Sequence, residues 1–176
     1  MRSENARCRR VITCGLMVLM ACVAWASPSS AQTKAKPRAG YCASDTDLAA
    51  LNARVLQTEL MVAALSCDER QRYNSFVTAY REVLKDRGQA LQALFRRAHG
   101  TKANVRLNAF ITKLANDASQ EVRSKGDEYC VFAGELFNET STVSPRELNR
   151  IANKDWIASR HGFRPCVQQA SRKQTG

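Results

Sequence analysis

Residues 42–67 read CASDTDLAALNARVLQTELMVAALSC, and this stretch decides the fold. Between its two cysteines, apolar residues recur at intervals of three and four, as they do along one face of an α-helix. Ser44, with Asp47 three residues later, resembles a capping box, which marks the start of a helix. The stretch therefore predicts a helix that begins near Ser44 and ends near Cys67.

The rest of the chain keeps a helical spacing of apolar residues, and no run alternates as a strand would. Four more helices are predicted, over residues 68–99, 103–125, 127–138 and from Ser144 to about Gly162. Gly100 and Gly126 end the first two of these, and Ser144 with Glu147 forms a capping box at the start of the last. Gly88 lies on the apolar stripe of the helix predicted over 68–99. There it either admits a neighbouring helix at close range, which we favour, or marks a kink.

Three helices of roughly 20–30 residues, joined by turns of two or three residues, must pack antiparallel. The sequence thus predicts an all-α fold, an up-down antiparallel bundle of four to five helices stapled by two disulfides. We expect a single bundle domain over 44–166. A basic lead-in over 32–43 and a tail over 167–176 are expected to be flexible.

The first 31 residues have the three parts of a secretory signal peptide. Four arginines lie in the first ten residues, an uncharged apolar run covers 11–24, and small residues lead to Ala31. Cleavage after Ala31 is favoured over cleavage after Ala26, because Pro28 breaks the helix of the apolar run. The run is shorter than the roughly 20 residues that span a bilayer, which argues against a retained anchor.

A second processing route is also open at the N-terminus. Leu19-Met20-Ala21-Cys22 resembles the lipobox of bacterial lipoproteins, in which Cys22 would be acylated and become the new N-terminus. The alternative to a soluble exported protein is therefore a lipoprotein of the cell envelope.

The cysteines predict two disulfides. Of seven in the chain, four follow the signal segment, at Cys42, Cys67, Cys130 and Cys166. An even number in an oxidising compartment favours disulfides, and no close C-x-x-C spacing suggests a metal site. The first helix separates Cys42 from Cys67 by roughly 31 Å, which is too far for a bond. Antiparallel packing then pairs Cys67 with Cys130 and leaves Cys42 with Cys166, provided that the C-terminal segment crosses to the opposite pole.

The charge of the chain points to anionic partners. The formal net charge is +11 at pH 7, and no acidic residue occurs between Asp86 and Asp117. A basic exported protein is biased toward phospholipid headgroups, lipopolysaccharide or acidic protein, although charge can also serve solubility alone. The candidate anion-binding residues in this stretch are Arg96, Arg97, Lys102 and Arg106. Capping of a helix C-terminus explains the first two but not the last two, which begin the next helix.

The sequence offers little catalytic chemistry. It contains no motif for a zinc protease, a phosphate loop, a c-type haem or a serine hydrolase, so we predict no catalytic residue, metal ligand or cofactor. Met61 and His161 could in principle ligate a haem, but Met61 is better interpreted as core filler. Glu59 and Glu135 fall in the middle of predicted helices, where a solvated face is the preferred interpretation. An enzyme for an anionic metabolite needs several inward cations, and the first helix supplies only Arg54.

Four segments resemble exported, uncharacterised α-helical proteins of alphaproteobacteria; they are Val55–Cys67, Arg72–Val77, Leu107–Phe110 and Tyr129–Cys130. The likeness covers most of the mature chain. It implies a helical fold and a Gram-negative periplasm, and it implies no activity.

The functional hypothesis is a non-catalytic periplasmic binding or scaffold protein with a basic pole toward anionic envelope partners. The alternatives are the lipoprotein anchored at Cys22 and a small all-helical enzyme. Because aromatic residues do not interleave with the cations, we expect no specific binding of nucleic acid. No transmembrane segment is predicted in the mature chain.

Overall fold

The computed structural model describes residues 41–166, and the statements below concern these residues. They form an all-α fold held by two disulfides, which confirms the predicted fold class. The predicted signal peptide over 1–31, the candidate lipid anchor at Cys22, most of the lead-in and the tail over 167–176 lie outside the described residues.

Helices account for most of this region. They are α1 (Asp45–Ser66), α2 (Arg70–Ala79), α3 (Arg81–His99), α4 (Ala103–Lys125), α5 (Asp127–Thr142), α6 (Leu148–Ala152) and α7 (Asp155–Ala158). Short 3-10 turns cover Gly100–Lys102 and Pro145–Glu147. Within 41–166 the β-type pairing is limited to one isolated bridge, between Ala43 and Pro165.

Helix α1 is the core of the bundle. It begins as predicted, because the Ser44 hydroxyl accepts from the Asp47 amide and the Asp47 carboxylate accepts from the Ser44 amide. Thirteen of its 22 residues are buried, and it contacts each of the other six helices. By length and hydropathy, α1 is the one helix among the described residues that could span a membrane. Since 67% of its apolar window is buried inside the protein, it serves here as the core helix.

The helix predicted over 68–99 is instead two helices, α2 and α3, that meet at Tyr80. The Tyr80 side chain is buried, and its hydroxyl donates toward the carbonyls of Thr140 (2.5 Å) and Val143 (2.8 Å) at the end of α5. This anchor holds the chain to α5 at the bend. As a result, α2 packs against α5 while α3 packs against α4.

The last predicted helix is also divided, into a 3-10 turn, α6 and α7. Its capping box is present, since Ser144 and Glu147 bond reciprocally. The division falls at Lys154, whose backbone is extended and whose ammonium binds Glu139 on α5 at 2.6 Å. The preceding Asn153 accepts a hydrogen bond from the buried Asn52 of α1 at 2.9 Å. Contacts with two different helices thus redirect the chain where a continuous helix was expected.

Residues 155–166, which we call the C-terminal strap, cross from one end of the bundle to the other. Trp156 packs edge-on against Phe132 near the start of α5, with ring centroids 5.0 Å apart. Further along, Phe163 packs on Phe95 and Phe110, each with centroids 5.9 Å away. The strap therefore supplies the crossing that the predicted cysteine pairing requires.

Both predicted disulfides are confirmed. Cys67 and Cys130 join the end of α1 to the start of α5, with Cα atoms 5.5 Å apart. Cys42 and Cys166 join the segment before α1 to the end of the strap, with Cα atoms 4.7 Å apart. Next to this bond, Ala43 exchanges backbone hydrogen bonds with the strap. Residues 41–43, which the sequence assigns to the lead-in, thus pack on the bundle.

Gly88 plays neither predicted role. Helix α3 is continuous through it, and a Cβ atom placed there would meet no atom within 4 Å. The residue marks no kink, and no neighbouring helix approaches it closely.

We expect Gly88→Ala to stabilise the fold by about 0.5–1 kcal/mol, because glycine costs roughly that much inside a helix and the added methyl meets open space. Chemical denaturation of the mature protein gives the free energy of unfolding. Gly126→Ala is the matched control: Gly126 has φ +54° between α4 and α5, so the same change should destabilise by about 1–2 kcal/mol. An unchanged or lower stability for Gly88→Ala would contradict this view of α3.

Candidate functional site

The four predicted anion-binding residues lie together at one end of the bundle. Arg96 and Arg97 end α3, Lys102 lies in the 3-10 turn, and Arg106 lies in the first turns of α4; all four are exposed. Ala43, Phe95 and Ala103 share one core cluster beneath them, so the start of α1 and the end of the strap meet at the same place. We call this end the basic pole; its charged residues are Arg96, Arg97, Lys102, Arg106, Arg164, Asp45 and Asp47.

Arg97 differs from the other cations because it is engaged within the fold. Its guanidinium donates to the Asp47 carboxylate at 2.5 Å and to the Tyr41 hydroxyl at 2.8 Å, and it lies 6.0 Å from the centre of the Tyr41 ring. Burial alone would raise the pKa of Asp47, but hydrogen bonds from Ser44 and Arg97 hold that pKa below its ordinary value. Arg97 therefore ties α3 to the start of α1.

The remaining cations of the basic pole have no such partner. Among residues 41–166, Arg96, Lys102 and Arg106 have no carboxylate within 4.0 Å. Asp47 is already paired with Arg97, which leaves Asp45 as the unpaired acid of the pole. The pole thus presents a local excess of positive charge to solvent.

Sequence reasoning missed a fifth cation, Arg164. The strap brings Arg164 to the basic pole, where its backbone carbonyl accepts a hydrogen bond from the Ala43 amide at 2.8 Å. The residue is exposed. The predicted Cys42–Cys166 pairing could have indicated the position of Arg164, because a residue next to Cys166 must lie close to Cys42.

The main surprise is an ion cluster around the buried carboxylate of Glu59. This residue was expected on a solvated face, but it is 4% exposed, in the middle of α1. Its carboxylate pairs with Arg160 of the strap at 3.2 Å and accepts a hydrogen bond from the Tyr129 hydroxyl at 3.2 Å. Arg160 also binds Glu121 of α4 at 2.6 Å. One guanidinium therefore connects the strap to both α1 and α4. Glu135, by contrast, is exposed as expected.

The electrostatics of this cluster follow from its burial. Burial raises the pKa of Glu59, and the charge of Arg160 opposes that rise. Burial, together with the neighbouring carboxylate, raises the pKa of Tyr129, so the phenol stays protonated and remains a donor. Arg160 also lies 5.4 Å from the centre of the Trp156 ring. The cluster is satisfied by its own members and functions as a strap anchor.

Arg54 was considered for an enzyme site and His161 for a haem site, and the described structure offers neither of them a suitable cavity. The groove beside Arg54, lined also by Gln57, Arg87 and Gly88, is too narrow for a water molecule. His161 is buried in the strap and its Nδ1 accepts from the Phe163 amide at 3.0 Å. Within the described residues, no group of three or more histidine, cysteine or acidic side chains is arranged to hold a metal ion.

A cleft of about 450 Å³ lies where α2 bends away from the end of α5. Its most polar wall is Arg72, whose guanidinium lies over Phe137 and bonds to Glu69, the Gly134 carbonyl and the Asn138 amide oxygen. This guanidinium joins α2 to α5, and we therefore assign it a structural role.

Comparison of the chain with protein-family models, with curated proteins and with solved structures finds no match in any of the three. Function is therefore inferred from the geometry and charge of the described residues, above all those of the basic pole.

We expect Arg160→Met to destabilise the protein by about 3–5 kcal/mol at pH 7.5, because it leaves the Glu59 carboxylate buried without a cation. The double variant Glu59→Gln/Arg160→Met should be more stable than Arg160→Met alone, because the unpaired buried charge is gone. Arg150→Met, which changes an exposed cation of α6, is the matched control and should change stability by no more than about 0.5 kcal/mol.

The loss in Arg160→Met should also depend on pH. Glu59 has a pKa above its unfolded value, so its stabilising contribution is present while it is protonated and is lost as the pH rises through the folded pKa. Without the charge of Arg160 the pKa of Glu59 rises further, so more stability is lost between acidic and neutral pH. Urea denaturation should therefore show a smaller destabilisation near pH 4 than at pH 7.5, and a pH-independent difference would contradict the assignment.

Proposed function

We propose that this protein is a non-catalytic binding or scaffold protein of the Gram-negative periplasm whose basic pole contacts anionic envelope partners. The observation that carries the proposal is the arrangement of that pole. Arg96, Lys102, Arg106 and Arg164 are exposed there, and the first three have no carboxylate within 4.0 Å among the described residues. Such a surface attracts anions because the summed potential of its charges is positive.

The position of two of these cations favours a functional role. Lys102 and Arg106 lie at the N-terminal end of α4, where the helix dipole already contributes positive charge. Cations at this end slightly oppose folding, and no carboxylate of residues 41–166 lies within 4.0 Å of either one. An anionic partner would interact favourably with both the side chains and the helix end, so the arrangement fits binding better than it fits stability.

The compartment is part of the same proposal. The two disulfides are consistent with an oxidising environment outside the cytoplasm. Combined with the N-terminal signal segment expected from the sequence, they support export to the periplasm. The cations of the pole all lie between Arg96 and Arg164, outside both processing segments, so the proposal is the same for the cleaved and the acylated form.

Reversing the charge of the pole tests the proposal. We expect Lys102→Glu/Arg106→Glu to weaken binding to phosphatidylglycerol-containing vesicles and to immobilised polyphosphate by at least about 30-fold at low salt, since each cation near an anionic surface contributes about 1 kcal/mol. Binding of the wild type should weaken steeply with salt, because exposed charges are screened over about 8 Å at physiological ionic strength. Thermal stability should not fall, because acids suit a helix N-terminus.

Arg70→Glu/Arg123→Glu is the matched control, because it changes the net charge equally at exposed positions away from the basic pole. It should retain most of the wild-type affinity for both probes. If this control weakens binding as much as the pole variant, net charge alone is responsible. A wild-type protein that binds neither probe at low salt would contradict the proposed function.

A further inference from the structure

The basic pole also exposes two large apolar side chains. Val105 is 71% exposed and Tyr41 is 39% exposed. A single exposed apolar residue is ordinary, but these two lie among the cations of the pole. Lys102 is the N-cap residue of α4, and Val105 and Arg106 follow it at i+3 and i+4, so the three lie on one side of the start of α4. The pole is therefore amphipathic as well as basic.

Tyr41 is held in place at this surface. Its hydroxyl accepts from Arg97 at 2.8 Å, its ring lies under the same guanidinium, and the adjacent Cys42 is bonded to Cys166. Tyrosine combines an apolar ring with a polar tip, which suits the boundary between water and hydrocarbon. The fold thus presents this ring at the pole before any partner binds.

Charge and apolar exposure together distinguish between anionic partners. A soluble polyanion would interact with the cations but would give the exposed Val105 no apolar environment. An anionic bilayer offers phosphates at its surface and apolar volume a few ångströms deeper, and both terms contribute to interfacial binding.

We propose that the basic pole docks on an anionic phospholipid bilayer. The cations Arg96, Lys102, Arg106 and Arg164 contact lipid phosphates, while Val105 and Tyr41 enter the headgroup region. This inference rests on the proposed function and names its partner. The other exposed large apolar residues among those described, Leu65, Val131 and Phe132, lie near the Cys67–Cys130 bond. There the exposed acids Asp68, Asp127 and Glu128 offset the exposed cations Arg70, Arg123 and Lys125, so this end lacks the excess of positive charge that the basic pole has.

The opposite end of the molecule provides the control for a depth measurement. In the mature protein, Val105→Trp places a fluorophore at the basic pole, and Leu65→Trp places one at a position of similar exposure, 64%, beside the other disulfide. With vesicles of brominated phosphatidylglycerol at low salt, and after subtraction of the wild-type signal, we expect quenching of the Val105→Trp signal and none of the Leu65→Trp signal.

A second variant separates lipid from soluble polyanion. Val105→Ser should weaken binding to phosphatidylglycerol vesicles about fourfold, which corresponds to partial burial of one valine. Its affinity for polyphosphate should stay within experimental error of the wild type, because the charge is unchanged.

The failures of the two proposals are distinguishable. If vesicles bind but neither tryptophan is quenched, or if both are quenched equally, the insertion at Val105 is wrong while anionic binding stands. If polyphosphate binds and vesicles do not, the partner is a soluble polyanion or an acidic protein, which overturns this inference alone. If neither probe binds at low salt, both proposals fail.

Discussion

The burial of α1 is the constraint on which the rest of the structure depends. Helix α1 contacts six others, and every residue over 50–64 is buried or partly buried, so it must be covered around most of its circumference. Straight helices of similar length cover only part of such a surface. The outer layer therefore bends at Tyr80 and breaks at Lys154, and at both places the side chain of the interrupting residue is bound to α5.

The enclosure of α1 also explains the strap. Glu59 is 4% exposed in the middle of α1, so its carboxylate needs a cation from another element. Arg160 supplies that cation and at the same time binds Glu121. Once the strap is anchored there, its remaining residues continue to Cys42 and deliver Arg164 to the basic pole. The strap thus both covers part of the core and brings a cation to the candidate site.

Local signals in the sequence predicted much of this fold. The capping boxes at Ser44 and Ser144, the glycine ends of α3 and α4, and the cysteine pairing all depend on neighbouring residues or on helix direction, and each is present. The sequence did not reveal the bend at Tyr80, because neither glycine nor proline marks it and its cause lies 60 residues away at Thr140. The burial of Glu59 was missed for the same reason, since its partner Arg160 lies about 100 residues away in sequence and only the packed fold brings the two together. At the candidate site, the cations of α3 and α4 were readable from an acid-free stretch, whereas the engagement of Arg97 with Asp47 depends on the packing of α3 against α1.

The most direct test of the central claim, that α1 is the enclosed core of the fold, is native-state hydrogen exchange of the mature protein followed by mass spectrometry. We predict that amides within residues 51–64 exchange most slowly and open only with global unfolding, because every neighbouring helix must separate before water reaches them. Amides of α4, which has one solvent-facing side, should open at lower free energy. Exchange in 51–64 that is as fast as exchange in α4 would contradict the enclosed position of α1.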